Sequence, residues 1–130
     1  MSRTVLVIED NEQNAYLASI LLEARGYKVV CAADGFRGLE LARTIKPGLI
    51  LLDIQLPTMD GYDVARQLRG IESLRDVPII AVTSYAMVGD REKAMEAGCT
   101  GYIEKPINPE TFVTEIEQFG NLPPTSEDAQ

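Results

Sequence analysis

The sequence contains no histidine among its 130 residues. Without an imidazole, the chain cannot form a Ser-His-Asp triad, a histidine general base, a histidine-bearing zinc site or a phosphohistidine of its own. Any chemistry that the chain performs must therefore use carboxylates, lysine, hydroxyl groups or a bound metal ion.

Cysteine and long apolar runs are also scarce. The two cysteines, Cys31 and Cys99, lie far apart inside apolar segments, so we expect two small buried side chains rather than a disulfide or a metal site. The apolar runs are much shorter than the roughly 20 residues that a membrane-spanning helix needs. We therefore expect a cytoplasmic protein with no membrane partner.

Basic residues are in the minority, because 12 Lys and Arg against 20 Asp and Glu give a formal net charge of -8. This balance argues against binding nucleic acid or an anionic membrane, since both need clustered positive charge. The length and the hydrophobic content of 45% fit one globular domain, which we assign to residues 1–120. Residues 121–130 are predicted to form a short, disordered acidic tail with too little apolar content to fold.

Five short apolar runs recur along the chain, with helical patterns between them. Most runs are continuously apolar rather than alternating, which favours strands buried on both faces of a parallel sheet. The alternation predicts an α/β fold: a doubly wound (βα)5, flavodoxin-like domain with a five-stranded parallel sheet in the order 2-1-3-4-5. The runs are Val5–Ile8, Lys28–Ala32, Leu49–Leu52, Ile79–Val82 and Gly101–Ile103.

Apolar residues spaced by three and four positions predict one buried stripe on most of the helices. Gly26 is expected to end the first helix with a positive φ, and Asn108 to cap the fifth. The fourth helix is predicted at about 88–97. The stripes are Leu17, Ile20, Leu21 and Ala24 in the first helix, Gly38, Leu41, Ala42 and Ile45 in the second, Gly61, Val64, Ala65 and Leu68 in the third, and Phe112, Ile116 and Phe119 in the fifth.

Charged residues follow the predicted strands. Glu9 and Asp10 follow the first strand and Asp53 the third, and the predicted order makes these strands neighbours. Two carboxylates about 4 Å apart repel by roughly 4 kcal/mol at an effective dielectric near 20, so the cluster needs a cation. Lys105, after the fifth strand, adds one positive charge to the three carboxylates. The net charge of the cluster is then -2, which one divalent ion would neutralise. All-oxygen ligands in this number suit Mg²⁺, with Mn²⁺ as a substitute.

A carboxylate beside a divalent cation, a lysine and a hydroxyl group is suited to receive a phosphoryl group. Asp53 would be the nucleophile, Lys105 and the metal ion would neutralise the phosphoryl oxygens, and Thr83, at the end of the fourth strand, would donate a hydrogen bond to one of them. The product would be an acyl phosphate on the protein itself.

Four segments at the predicted strand ends are VIEDNEQN at 7–14, LLDIQLPTMDG at 51–61, AVT at 81–83 and YIEKP at 102–106. Together they resemble the motif set of a two-component response-regulator receiver domain of the CheY-like superfamily, and the similarity covers about residues 3–119. Residues 9–14 and 86–90 further resemble DivK-like single-domain regulators and the receivers of hybrid histidine kinases.

The resemblance implies a role for each matching site residue. Asp53 would be the phosphorylated residue, with Lys105 as the phosphate contact. Glu9, Asp10 and Asp53 would hold the metal ion together with the backbone carbonyl of Gln55. Family members usually have a cis peptide at the position of Lys105-Pro106.

The resemblance also implies how the signal would leave the domain. Thr83 and Tyr102 would form a switch pair that remodels the face made by helix 4, strand 5 and helix 5, where a downstream protein would bind. Arg91 and Met95 are candidate contacts on that face. A sensor histidine kinase or histidine phosphotransferase would dock near the first helix, through residues such as Tyr16. We expect a monomer or weak dimer that catalyses only its own phosphorylation and dephosphorylation.

Other interpretations stay open. Taken singly, Asp10 or Asn11 can cap a helix, and Asp53 can be a turn residue. The chain could be the isolated receiver of a hybrid histidine kinase. An aspartate-dependent phosphatase would need a second aspartate where Gln55 stands, and a flavin mononucleotide carrier would need a phosphate loop where this chain has Glu9 to Glu12.

Three positions beside the site depart from the usual family pattern or stand where the family's dephosphorylation kinetics are tuned. Ser84 replaces the alanine that usually follows the switch threonine. Gln55 and Tyr85 stand where dephosphorylation rates are set in the family, and the bulk of Tyr85 predicts slow loss of the phosphoryl group.

Overall fold

The computed structural model describes residues 3–84 and 89–120. These residues form a five-stranded parallel sheet in the order β2-β1-β3-β4-β5, as the alternation of patterns predicts. The predicted tail at 121–130 and the predicted role of Tyr85 lie outside the described residues. The strands are β1, Thr4–Ile8; β2, Lys28–Ala32; β3, Leu49–Asp53; β4, Ile79–Thr83; and β5, Gly101–Glu104.

Helices pack on both faces of the sheet, and the sheet separates the hydrophobic core into two layers. Helices α1 and α5 cover one face, and α2, α3 and α4 cover the other. Within the described parts of the chain, no helix has the length and apolar character needed to cross a membrane. The helices are α1, Glu12–Glu23; α2, Gly35–Ile45; α3, Gly61–Arg69; α4, Asp90–Glu96; and α5, Phe112–Phe119, with a short 3-10 helix at Glu72–Leu74.

The position of a strand in the sheet decides its burial. All residues of β3 and β4 are buried, as their continuous apolar runs predict. Strand β2 is an edge strand, and only Ala32 of its five residues is buried. The prediction that both cysteines are buried was therefore wrong for Cys31, which is exposed, and right for Cys99; neither forms a disulfide.

The predicted stripe of α1 was also wrong in part. The buried residues of α1 are Ala18 and Leu22, whereas Ile20 and Ala24 are exposed. Apolar side chains surround most of this helix, so spacing alone does not identify the face that meets the sheet. In α3, by contrast, polar residues leave one apolar face, and all four predicted stripe residues are buried.

The ends of two helices differ from the predictions. Asn108 does not cap α5; its Oδ1 accepts from the Glu110 amide in a turn that precedes the helix, and Thr111 takes the cap position. Helix α4, predicted at about 88–97, spans Asp90–Glu96 and follows Gly89, whose φ is 96°. Residue 88 lies outside the described residues. Gly26 has the predicted positive φ, 89°, after α1.

Gly61 places the loop after β3 close to the sheet. A Cβ at this position would lie 2.4 Å from the Cα of Ile54, so any side chain would displace backbone. The Gly61 amide donates to the Ile54 carbonyl at 3.1 Å. This close approach closes the loop that follows Asp53.

A buried Tyr27–Glu117 pair, flanked by two more exposed arginines, joins α5 to the residues that precede β1 and β2. The Tyr27 hydroxyl donates to Glu117 Oε2 at 2.7 Å, and both side chains are nearly inaccessible. The Arg3 guanidinium lies 4.4 Å from the centre of the Tyr27 ring, and Arg25 lies 3.8 Å from Glu117 Oε1. Burial, followed by the hydrogen bond to Glu117, raises the pKa of Tyr27 to about 12.

We predict that Tyr27→Phe lowers the free energy of unfolding at neutral pH by about 1–2 kcal/mol, because Glu117 loses a buried donor. The Tyr27 contribution is complete below pH 10 and is lost as the pH rises towards about 12, because the unfolded chain releases this proton first. Urea unfolding followed by circular dichroism should show a smaller alkaline loss of stability in the variant. Tyr16→Phe, at an exposed position of α1, is the control; equal alkaline curves for Tyr27→Phe and wild type would contradict the prediction.

Candidate functional site

The carboxyl ends of four parallel strands bring the predicted site residues to one edge of the sheet. Glu9 follows β1, Asp53 and Thr83 end β3 and β4, and Lys105 follows β5. The strand pairing aligns Asp53 with Val82, and Thr83 with Glu104. Residues that are widely separated in the sequence therefore share one pocket.

Three carboxylates meet in this pocket. One oxygen from each of Glu9, Asp10 and Asp53 lies within 4.8 Å of the others. Glu9 and Asp53 are 8% and 3% exposed, whereas Asp10 faces solvent. Two of the three charges are thus largely removed from water, and the third leaves the cluster open on one side.

Backbone amides orient the two buried carboxylates. The Asn11 amide donates to Glu9 Oε2 at 3.1 Å, and the Gln55 amide donates to Asp53 Oδ1 at 2.9 Å. Asn11 also caps α1, since its Oδ1 accepts from the Asn14 amide at 2.9 Å, so capping falls to Asn11 and not to Asp10.

Among the described residues, Lys105 provides the positively charged side chain of the pocket. Its Nζ lies 2.8 Å from Glu9 Oε1 and 3.3 Å from Asp53 Oδ2. The Lys105 amide also donates to the Thr83 carbonyl at 2.8 Å, and the following bond to Pro106 is cis, as the resemblance implied. One ammonium group therefore bridges the ends of β1 and β3 from the end of β5.

The electrostatics of the pocket show an excess of negative charge. Burial, reinforced by Asp53, raises the pKa of Glu9 to about 7 despite the opposing effect of Lys105. Burial alone would lower the pKa of Lys105, but its hydrogen bond to Glu9 and the charges of Asp53 and Glu9 raise it overall. Three carboxylates and one ammonium leave two negative charges, which fits a hard divalent cation bound by oxygen atoms.

The two predicted switch residues lie on neighbouring strands. Thr83 is 1% exposed at the end of β4. Tyr102 is half-buried on β5, paired with Ala81 and packed against the layer formed with α2, α3 and α4. Burial is the main cause of its raised pKa, followed by the charges of Asp90 and Glu104.

One contact at the site was not predicted. The side chain of Gln55 reaches from the loop after β3 to the residue after β4, where its Oε1 accepts from the Ser84 amide at 2.9 Å and from Ser84 Oγ at 2.7 Å. The resemblance to receiver domains marks Ser84 as unusual and Gln55 as a position that tunes dephosphorylation, but it does not predict their contact. No local pattern connects them, because they are 29 residues apart and the contact exists only when β3 pairs with β4.

Comparisons with known proteins agree with this geometry. Residues 5–117 match the response regulator receiver domain family. The chain is 44% identical to the polar-differentiation response regulator DivK of Brucella ovis over 119 residues, which cover 92% of this chain and 97% of the relative. The DivK of Brucella anthropi is 43% identical over the same length.

Solved structures share the fold. The chemotaxis protein CheY4 of Vibrio cholerae superposes with a TM-score of 0.87 at 27% identity, covering 92% of this chain and 99% of that one. The receiver domain of the sensor histidine kinase PA1611 from Pseudomonas aeruginosa superposes with a TM-score of 0.83 at 34% identity, covering 93% and 99%. That structure contains a magnesium ion coordinated in its active-site cleft.

We predict that Asp10→Asn stabilises the metal-free protein by about 1 kcal/mol, because it removes one of the repelling charges at a position exposed to solvent. Urea unfolding in the presence of a chelator measures the change. Asp76→Asn is the matched control, since Asp76 is an exposed aspartate before the opposite end of β4. Equal stabilisation by both variants would show that net charge, and not the cluster, is responsible.

Proposed function

Because this chain belongs to the response regulator receiver domain family, we propose that it is a single-domain response regulator of a two-component phosphorelay that accepts a phosphoryl group on Asp53. The observation that supports this most directly is the pairing of buried Asp53 with Lys105, at 3.3 Å, beside Glu9 and Asp10. A carboxylate that only caps a turn would need neither a buried ammonium partner nor two further carboxylates.

In the proposed reaction, an oxygen of Asp53 attacks the phosphorus atom of a phosphohistidine on a sensor kinase or phosphotransferase. The bond from phosphorus to the imidazole nitrogen breaks, and its electron pair returns to the histidine of the donor. Lys105 lies where it can neutralise charge on the phosphoryl oxygens, and Thr83 supplies a hydroxyl group at the end of β4. The phosphohistidine must lie outside these 130 residues, because they contain no histidine.

A magnesium ion fits the donor set of the pocket, with Mn²⁺ as a substitute. Glu9, Asp10 and Asp53 would hold it with the backbone carbonyl of Gln55, which lies in the loop that the Gln55 amide ties to Asp53. When bound, such an ion neutralises charge on the transferring phosphoryl group. The chain's own contribution is to place the three carboxylates and Lys105 around one point.

The output is proposed to be a change of protein contacts. Thr83 and Tyr102 would shift together on phosphorylation and alter the face formed by α4, β5 and α5, which a downstream protein would read. The proposed activity is limited to the protein's own phosphorylation and dephosphorylation, in the cytoplasm. Residues 1–120 are proposed to form the whole receiver unit.

A receiver of a hybrid histidine kinase is the second candidate, because the PA1611 receiver is a structural relative at 34% identity. The coverage of 97% of the DivK relatives supports the single-domain proposal. Both candidates use the same site chemistry, and they differ in whether the receiver is attached to its kinase.

We predict that the protein gains one phosphoryl group when incubated with Mg²⁺ and acetyl phosphate, and that Asp53→Asn gains none. Intact-mass spectrometry measures the product, and hydroxylamine should remove it, because acyl phosphates react with this nucleophile. Asp76→Asn should behave like wild type. A wild type that gains nothing, or an Asp53→Asn variant that gains equally, would overturn the assignment.

Mg²⁺ should raise the midpoint of thermal unfolding of the wild type. A concentration one hundred times the dissociation constant stabilises a protein by about 2.7 kcal/mol when only the folded state binds. Asp10→Asn removes one ligand and should lose most of this gain, whereas Asp76→Asn should keep it. If Asp10→Asn gains as much as wild type, Asp10 is not a ligand.

A further inference from the structure

The contact between Gln55 and Ser84 crosses the edge of the proposed phosphorylation site. Asp53 of β3 pairs with Val82 of β4. Gln55 lies two residues after Asp53 and Ser84 two residues after Val82, so Gln55 and Ser84 lie side by side. Two donors of Ser84, its amide and its hydroxyl group, converge on the single Oε1 of Gln55 at 2.9 and 2.7 Å. The Gln55 backbone amide, meanwhile, donates to Asp53 Oδ1.

The acceptor of the Ser84 amide differs from those of its neighbours at this edge. The Ile54 amide donates to the Val82 carbonyl, and the Lys105 amide donates to the Thr83 carbonyl, so both are held by backbone. The Ser84 amide is held by a side chain, which rotates without breaking the sheet. It is therefore a donor that the protein can release at small structural cost.

A phosphoryl group on Asp53 would require donors at this place. It would bring three further oxygen atoms into a pocket that already contains the carboxylates of Glu9 and Asp10. Lys105 Nζ is shared between Glu9 and Asp53 before any phosphoryl group arrives. The Ser84 amide lies at the same edge, directly after β4, the strand next to that of Asp53, and is a suitable additional donor once Gln55 leaves it.

We propose that Gln55 is a latch that holds the Ser84 amide in the unphosphorylated protein and is displaced when Asp53 is phosphorylated. This inference rests on the proposed function. Gln55 also lines an open groove of about 440 Å³ between the loop after β3 and α4, which offers the released side chain space outside the pocket. Gln55 acts through Ser84, so it is a positioning residue and not a catalytic one.

The strength of the latch depends on Ser84. An alanine at this position would keep the amide but lose the 2.7 Å hydrogen bond from Oγ to Gln55. The serine therefore adds a second hydrogen bond that favours the unphosphorylated arrangement. The latch should lower the affinity of the site for a phosphoryl group at equilibrium, because binding must first break these two bonds.

Beryllofluoride, which forms a stable mimic of an aspartyl phosphate, tests the latch at equilibrium. Titration in the presence of Mg²⁺, followed by NMR, gives a dissociation constant for wild type, Gln55→Met and Ser84→Ala. Methionine keeps the length of glutamine but lacks the acceptor oxygen. We expect Gln55→Met to bind about twofold to tenfold more tightly, and Ser84→Ala about twofold more tightly, in line with the net strength of single hydrogen bonds.

A double variant separates the latch from unrelated effects. Because the Ser84 hydroxyl group acts through Gln55, adding Ser84→Ala to Gln55→Met should give no further gain in affinity. The Ser84 amide proton of the ligand-free protein should move upfield in Gln55→Met, as expected when a hydrogen bond is lost. Gln67→Ala, at an exposed position of α3, is the control and should match wild type.

The possible failures are distinguishable. If wild type and all variants fail to bind beryllofluoride, the proposed function is wrong. If wild type binds and Gln55→Met binds with equal or weaker affinity, the latch is wrong and the proposed function stands. Ser84→Ala keeps the test decisive if Gln55→Met does not fold, because unchanged affinity in this variant also contradicts the latch.

Discussion

The ion pairs of Lys105 are the interaction on which the rest of the site depends. One ammonium group lies 2.8 Å from Glu9 and 3.3 Å from Asp53, and it holds two carboxylates that are almost fully buried. Removing either charge from water is costly unless a partner is present. Burial, reinforced by Asp53, raises the pKa of Glu9 to about 7. Three carboxylates against one ammonium group leave an excess of negative charge that suits a further cation.

This balance is possible because parallel strands present their carboxyl ends at the same edge. Strands β3 and β4 are buried on both faces, so the sheet fixes the positions of Asp53 and Thr83 through apolar packing. The polar groups at the edge are then oriented by backbone amides, as those of Asn11 and Gln55 are for Glu9 and Asp53. The buried strands thus hold in place a pocket in which one lysine only partly neutralises three carboxylates.

The same edge contains both fixed and releasable hydrogen bonds. Lys105 is tied to the Thr83 carbonyl by its backbone, whereas Ser84 is tied to the side chain of Gln55. Tyr102, on β5, packs against the layer that includes α4, a helix of the proposed output face. In the proposed function, a phosphoryl group on Asp53 would displace the releasable hydrogen bond of Ser84 while the backbone hydrogen bonds of the sheet stay intact.

The sequence by itself determined the strand order, the parallel sheet and the meeting of Glu9, Asp10, Asp53 and Lys105, because strand ends and charges are local features that the topology then combines. Only the tertiary structure decided which face of α1 is buried, why Cys31 is exposed, and that Gln55 bonds to Ser84. An evenly apolar helix has no preferred face until it packs, and the burial of a strand depends on its neighbours. A contact between two loops likewise depends on the register of the strands that carry them.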